Sequence, residues 1–246
     1  MEKLVVVTGA SRGIGAAIAR QLAADGFHVG CISRSGTLPT PRASLSDAER
    51  LLIPVAADVA RPDELRAAID ELCSRGLEVR GLINNAGLLA EAPSAEMPLE
   101  QWDETMQVNA RSVVVGCQAI YPYLQQGNGG LIVNMGSFFD KVGSKRNLAY
   151  SASKAAVGAI TRVLAVEWAK DRIAVINIAP GFVLTDLNRE HWEKDRLRGY
   201  FEKRIPGGTP GQPADIAELA SALFAMNSTF LTGETIYMDG AQSISP

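Results

Sequence analysis

Leu4-Val5-Val6-Val7-Thr8-Gly9-Ala10-Ser11-Arg12-Gly13-Ile14-Gly15 joins a short apolar run to three glycines. The run has the length and composition of a buried strand, and Gly13 opens a segment of helical period, so the glycines stand at a strand-to-helix turn. Without side chains at Gly9, Gly13 and Gly15, the backbone can approach a pyrophosphate at the helix N-terminus, where unpaired N–H groups favour an anion. The spacing G-x-x-x-G-x-G differs from the commoner G-x-G-x-x-G, and the same residues also suit an ordinary tight turn. With Ser11, Arg12 and Ile14 between the glycines and an apolar strand before them, dinucleotide binding is the favoured reading.

Outward from this turn, short apolar or β-branched runs alternate with longer segments of helical period. Strands are expected at Leu4 to Val7, His28 to Ile32, Leu52 to Ala56, Gly81 to Asn84, Gly130 to Met135, Ile173 to Ala179 and Thr235 to Met238. Helices are expected at Gly13 to Ala24, Pro62 to Arg75, Leu99 to Leu124, Ala149 to Lys170 and Pro213 to Ala225. That alternation predicts an α/β fold: a doubly wound, parallel, seven-stranded Rossmann sheet with helices on both faces, in one domain over residues 1–246. Ser35 to Ser46 reads as a polar surface loop. Thr185 to Gly211 interrupts the alternation with His191, Trp192 and a mixture of charges just past a strand end, where open α/β sheets bind ligands, so a substrate lid is expected at about 185–211.

Composition narrows the function classes. The chain has 246 residues, 47% hydrophobic, with a formal net charge of −3, enough to bury one large core and without the basic stripe that nucleic acid or an anionic membrane requires. Its apolar N-terminal run is too short for a signal-peptide core, and no run approaches the ~18 residues of a membrane span. Cys31, Cys73 and Cys117 show no C-x-x-C spacing, so neither a disulfide framework nor a metal site is expected, and a cytoplasmic setting suits them.

An acid about 20 residues past a dinucleotide turn usually binds the adenosine ribose. Here that window reads Ser33-Arg34-Ser35. The Arg34 guanidinium can pair with a 2′-phosphate that an acid would repel, helped by the two hydroxyls, so NADP(H) is favoured over NAD(H). Arg12 either adds a second positive contact or is a solvated surface arginine.

Tyr150 and Lys154 are separated by one turn of a predicted helix and share a face. A free tyrosine has a pKa of ~10, so at neutral pH about one phenol in a thousand is ionised. A neighbouring ammonium favours the phenolate and makes the residue usable as an acid or a base. Ser137, past the end of a predicted strand, can donate a hydrogen bond to a carbonyl oxygen as charge grows on it. Asn109 is a polar residue within a helix that otherwise reads apolar, a poor choice for packing alone.

With these residues the chain resembles the short-chain dehydrogenase/reductase family over nearly its whole length. The resemblance rests on the glycine turn from Thr8 to Gly15, Asp58-Val59, Asn84-Asn85-Ala86-Gly87, Asn109, Ser137, Tyr150-x-x-x-Lys154, Pro180-Gly181-x-x-x-Thr185, and the tail from Leu231 to Gly240. That tail and the segment from Ile205 to Ile216 are similar to 3-oxoacyl-carrier-protein reductases. The resemblance implies that Asp58 and Val59 meet the adenine and that Asn85, Ala86 and Gly87 line the adenosine side. It implies that Pro180, Gly181, Val183 and Thr185 hold the nicotinamide end, with Tyr150 and Lys154 also touching the cofactor, and that Asn109 fixes a water linking Lys154 to solvent.

The expected activity is NADP(H)-dependent reduction of a ketone or 3-oxoacyl carbonyl to an alcohol, with Tyr150 as general acid/base. An NAD-dependent alcohol or sugar dehydrogenase and a non-catalytic nucleotide-sensing protein stay open beside it. Phe138, Phe139, Leu88, Leu89, Phe182, Leu187 and Trp192 flank the motifs and suggest an apolar pocket. The family further implies a homotetramer or homodimer, for which Val113 to Val115 and Val157 to Val166 can supply a face.

Overall fold

The first strand, β1 (Lys3–Thr8), is buried from Leu4 to Thr8, because both faces of the sheet are covered. Leu4 and Val6 enter one apolar cluster, and Val5 and Val7 enter the other. A strand sandwiched in this way needs apolar residues at successive positions, which explains the unbroken Leu4-Val5-Val6-Val7 run. In the computed structural model, residues 1–39, 47–185, 199, 203–226 and 228–245 are described. Most of the expected lid and most of the polar loop at 35–46 lie outside the described residues.

After β1 come α1 (Gly13–Ala24), β2 (His28–Ser33), β3 (Leu52–Ala56), α2 (Pro62–Cys73), β4 (Glu78–Asn84) and α3 (Leu99–Met106). A π-helical turn, Gln107–Arg111, links α3 to α4 (Ser112–Gln126), followed by β5 (Gly130–Met135), α5 (Leu148–Trp168), β6 (Ile173–Pro180), α6 (Pro213–Ala225) and β7 (Thr235–Met238). The strands form one seven-stranded sheet in the order β3-β2-β1-β4-β5-β6-β7. Every neighbouring pair is parallel. Helices α2, α4 and α5 cover the face that holds Leu4 and Val6, and α1 and α6 cover the other. This is a Rossmann-like sheet, and the strand order reverses between β1 and β4, opening a crevice at their carboxyl ends.

Buried amides cross the sheet beneath that crevice. Asn84, Asn134, Asn177 and Thr235 lie side by side in register on β4, β5, β6 and β7. Asn84 Nδ2 donates to Asn134 Oδ1 at 2.9 Å, Asn134 Nδ2 to Thr161 Oγ1 on α5 at 3.0 Å, and Asn177 Nδ2 to Thr235 Oγ1 at 3.1 Å. Pairing of this kind removes most of the cost of burying a polar group.

The helix expected from Leu99 to Leu124 runs without interruption to Gln126, and the π turn at Gln107–Arg111 widens its backbone around Asn109. The valines expected to offer an oligomer face divide: Val113, Val115 and Val157 pack into the core, whereas Val163 and Val166 are 55% and 79% exposed. Among the described residues no helix is long and apolar enough to cross a membrane and no cluster of three or more His, Cys, Asp or Glu could hold a metal ion. The three cysteines are free and buried.

Candidate active site

The glycine turn and the end of β4 close on each other across the β1/β4 crevice. Thr8 Oγ1 accepts hydrogen bonds from the backbone N–H groups of Asn85 and Ala86, at 3.0 and 3.1 Å. Asn85 Nδ2 donates back to the carbonyls of Thr8 and Gly9, at 2.9 and 3.2 Å. Gly9 adopts φ +67°, a conformation that favours glycine. A Cβ on Gly15 would stand 2.3 Å from Gly9 O and 2.4 Å from Asn85 Nδ2. The glycine cradle is therefore closed on its sheet side by Gly9 O and Asn85, and a side chain at Gly9 or Gly15 would collide with the end of β4 or with the turn itself. A Cβ on Gly13 would meet Thr185 Cγ2 at 3.7 Å, so the loop after β6 reaches the same crevice.

The remaining expected cofactor residues lie at neighbouring strand ends. Ser33 is buried at the end of β2, its Oγ without a hydrogen-bond partner, beside exposed Arg34 and Ser35. Ser35 Oγ shares a 2.7 Å hydrogen bond with Thr37 Oγ1. Ala57, next to Asp58, donates its N–H to Ser33 O at 3.0 Å, so the β2 and β3 ends adjoin. Asp58 Oδ1 accepts from Ala60 N at 3.0 Å, and Val59 packs on the core. Pro180 pairs with Met238, and Gly181 approaches Asp239 so closely that a Cβ would lie 2.6 Å from its Cα. Val183 bridges to Gly211, which fixes the first residues after β6 to the approach of α6. Half-buried Ser11 and Ile14 and exposed Arg12 complete the turn.

The residues expected to do chemistry converge past β5. Ser137 caps a short 3₁₀ turn, Phe138–Asp140, its Oγ accepting from Phe139 N at 3.3 Å. A polar interaction with the Ser137 side chain favours the Tyr150 phenolate. Lys154 is buried at 4% exposure, its Nζ 5.6 Å from the Tyr150 ring centroid and donating to Met135 O at 2.7 Å. Tyr150 and Lys154 thus share one face of α5, as their spacing predicts.

The electrostatics differ from the expectation that the lysine lowers the tyrosine pKa. Burial pushes Tyr150 up, outweighing the Ser137 interaction, and burial lowers Lys154 from 10.5 to about 8. Desolvation penalises whichever form carries charge, and here it acts on both members of the pair.

Asn109 sits in the π turn with all its polar capacity aimed inward. Its Oδ1 accepts from Leu88 N at 2.8 Å, and its Nδ2 donates to Leu88 O at 2.9 Å and Ser153 Oγ at 3.0 Å. Ser153 Oγ in turn donates to Tyr150 O at 2.7 Å. Gly87 lies between Asn109 and the lysine: a Cβ there would be 3.3 Å from Asn109 Oδ1 and 3.6 Å from Lys154 Nζ. Asn109 therefore holds the strand-end loop that carries Leu88 and connects it, through Ser153, to the helix of Tyr150. Sequence reasoning missed Ser153 and the anchoring role of Thr8. Their place beside Lys154 and Gly9 was the available signal.

A family model described as short chain dehydrogenase matches residues 3–196. The chain is 36% identical to 3β-hydroxysteroid dehydrogenase 1 of Eggerthella lenta, across 99% of this chain and 95% of that protein. It is 31% identical to an NAD-dependent glycerol dehydrogenase of Listeria innocua, across 99% and 94%. The crystal structure of a gluconate 5-dehydrogenase from Burkholderia cenocepacia in complex with NADP and tartrate superposes with a TM-score of 0.90 at 29% identity, covering 100% of this chain and 97% of that one. On the matched family model and these full-length relatives, the chain belongs to the short-chain dehydrogenase/reductase family of oxidoreductases.

Proposed function

We propose that the protein is an NADP(H)-dependent oxidoreductase that reduces a ketone to a secondary alcohol, with Tyr150 as general acid and, in reverse, general base. The observation that carries this reading is the convergence of the Ser137 and Tyr150 hydroxyls with the Lys154 ammonium beside the glycine cradle. The side-chain-free glycine turn at the β1/β4 crevice, with Gly9 and Gly13 at positive φ, and the buried, unpartnered Ser33 hydroxyl fit a phosphorylated dinucleotide. Gly9, Ser11, Arg12, Gly13, Ile14 and Gly15 would hold its pyrophosphate, Ser33, Arg34 and Ser35 its 2′-phosphate, and Asp58, Val59, Asn85, Ala86 and Gly87 its adenosine. Pro180, Gly181, Val183 and Thr185 would hold its nicotinamide end. Bound there, the dinucleotide supplies or accepts the hydride.

The chain's own part is proton management. Raised by burial, the Tyr150 phenol keeps its proton near neutral pH, the form that protonates a carbonyl oxygen during reduction. Ser137 has one proton to donate, to that oxygen as charge accumulates or, after the transfer, to the phenolate left behind. Lys154, with a pKa of about 8, can hold or surrender a proton close to working pH and so reset the tyrosine. Asn109 keeps the Gly87-Leu88 loop against this pair.

Replacing Tyr150 with Phe keeps the ring and removes the proton. Turnover of ketones should fall by about 10²–10⁴-fold while NADPH binding by fluorescence titration persists, and near-normal turnover would refute the assignment. We further propose one functional unit, a cytoplasmic setting in which the buried cysteines stay thiols, and a homodimer or homotetramer using Val163 and Val166 of α5. A monomeric mass by light scattering would remove the oligomer.

A further inference from the structure

Four aromatic rings from three elements meet at the reacting hydroxyls. Phe138, 3% exposed, stacks on Phe139 with centroids 4.3 Å apart and planes at 29°. Half-buried Phe139 stands edge-on to Tyr150 at 6.0 Å and 85°, and to Phe182 at 5.9 Å and 87°. Phe182 also meets Phe138 edge-on at 5.3 Å. The turn that carries Phe139 is held at both ends. Ser137 Oγ accepts the Phe139 N–H, and Tyr237 on β7 donates to Asp140 Oδ1 at 3.1 Å. Lys141 places its Nζ 4.8 Å from the Tyr237 ring. The charged residues that follow Phe139 are thus drawn toward β7, and what stands beside the Tyr150 ring is aromatic carbon on a fixed backbone.

From this geometry we infer that the site takes a ring-bearing, largely apolar ketone or secondary alcohol rather than a polyol, and that Phe139 sets the preference. The inference rests on the oxidoreductase reading above. A hydroxyl held against the Phe139 ring would lose its water hydrogen bonds and gain none from that ring, costing about tenfold to a hundredfold in kcat/KM for each such group. A hydrocarbon ring gains by leaving water and by edge or face contact with Phe139.

The test compares trans-2-decalone with dihydroxyacetone, followed by NADPH consumption for the wild type, Phe139→Ala and Phe139→Tyr, with calorimetric titration of the wild type by the decalone as a readout independent of turnover. The wild type should prefer the decalone by about 100-fold in kcat/KM and bind it measurably; Phe139→Ala should cut that preference about tenfold, mainly through KM. Phe139→Tyr, which keeps the ring and adds a hydroxyl to the wall, should shift the ratio toward dihydroxyacetone and carries the test if the alanine variant does not fold. A wild type that prefers dihydroxyacetone, or a ratio untouched by both substitutions, overturns the inference and leaves the oxidoreductase reading standing. Reduction of neither ketone by a protein that binds NADPH overturns both.

Discussion

Replacing Lys154 with Met should stabilise the protein while abolishing its activity, and the gain should fade in alkali. Lys154 is buried, and its pKa falls from 10.5 to about 8. Because the folded state holds the proton less tightly than the unfolded chain, the burial cost is fully present below the folded pKa and disappears as pH rises toward the unfolded value. At about 1.4 kcal/mol per tenfold in protonation, the penalty is about 3 kcal/mol near pH 7 and about 1 kcal/mol near pH 9.5. Methionine keeps much of the length and none of the charge, but it leaves Met135 O without the amine that bonds it at 2.7 Å, a loss of about 1 kcal/mol. The net expectation is a gain of about 2 kcal/mol near pH 7 and almost none near pH 9.5. For a chain of this size the neutral-pH gain corresponds to about 4–8 °C in Tm. Thermal unfolding of wild type and variant across that pH range measures it. A variant less stable than wild type near pH 7, or a difference that does not shrink on raising pH, would refute the reasoning.

Two further substitutions probe the nucleotide side. Arg34→Asp should weaken NADPH by about 10–100-fold in fluorescence titration and leave NADH affected far less; equal loss for both would remove the arginine from 2′-phosphate recognition. Gly15→Ala drives a methyl group into Gly9 O and Asn85 Nδ2, so a loss of about 1–3 kcal/mol in urea unfolding should accompany loss of dinucleotide binding, and unchanged binding would show that the cradle is not used.

Much of the architecture was legible because burial on both faces leaves a local trace. Leu4-Val5-Val6-Val7, the β-branched run at β6 and the glycines of the first turn carry their environment in their composition, and the expected α1 coincides with Gly13–Ala24. Where the signal was mixed, the reading fell short. β4 starts at Glu78 rather than Gly81, because Glu78 and Arg80 look like loop residues until their mutual ion pair at 3.1 Å and the pairing of Glu78 with Lys3 on β1 are seen. The π turn at Asn109 has neither Gly nor Pro to announce it; its wide backbone accompanies the clamp on Leu88, a contact with a distant segment. The juxtaposition of Tyr150 and Lys154 followed from helical period alone. That Phe139 turns its ring to Tyr150 did not, since it depends on how a loop closes. Nor could spacing reveal that burial would outweigh the Ser137 interaction in setting the Tyr150 pKa, because desolvation is a property of the packed interior.

The row of Asn84, Asn134, Asn177 and Thr235 has a consequence for how such a scaffold can diversify. Sliding a strand by a single position would turn its amide to the opposite layer and leave former partners facing hydrocarbon, so each strand is locked at one height. The platform from which the loops spring is therefore level and indexed. Residues in those loops can be exchanged to grip a different molecule while the spot at which a hydrogen nucleus changes hands stays where it is.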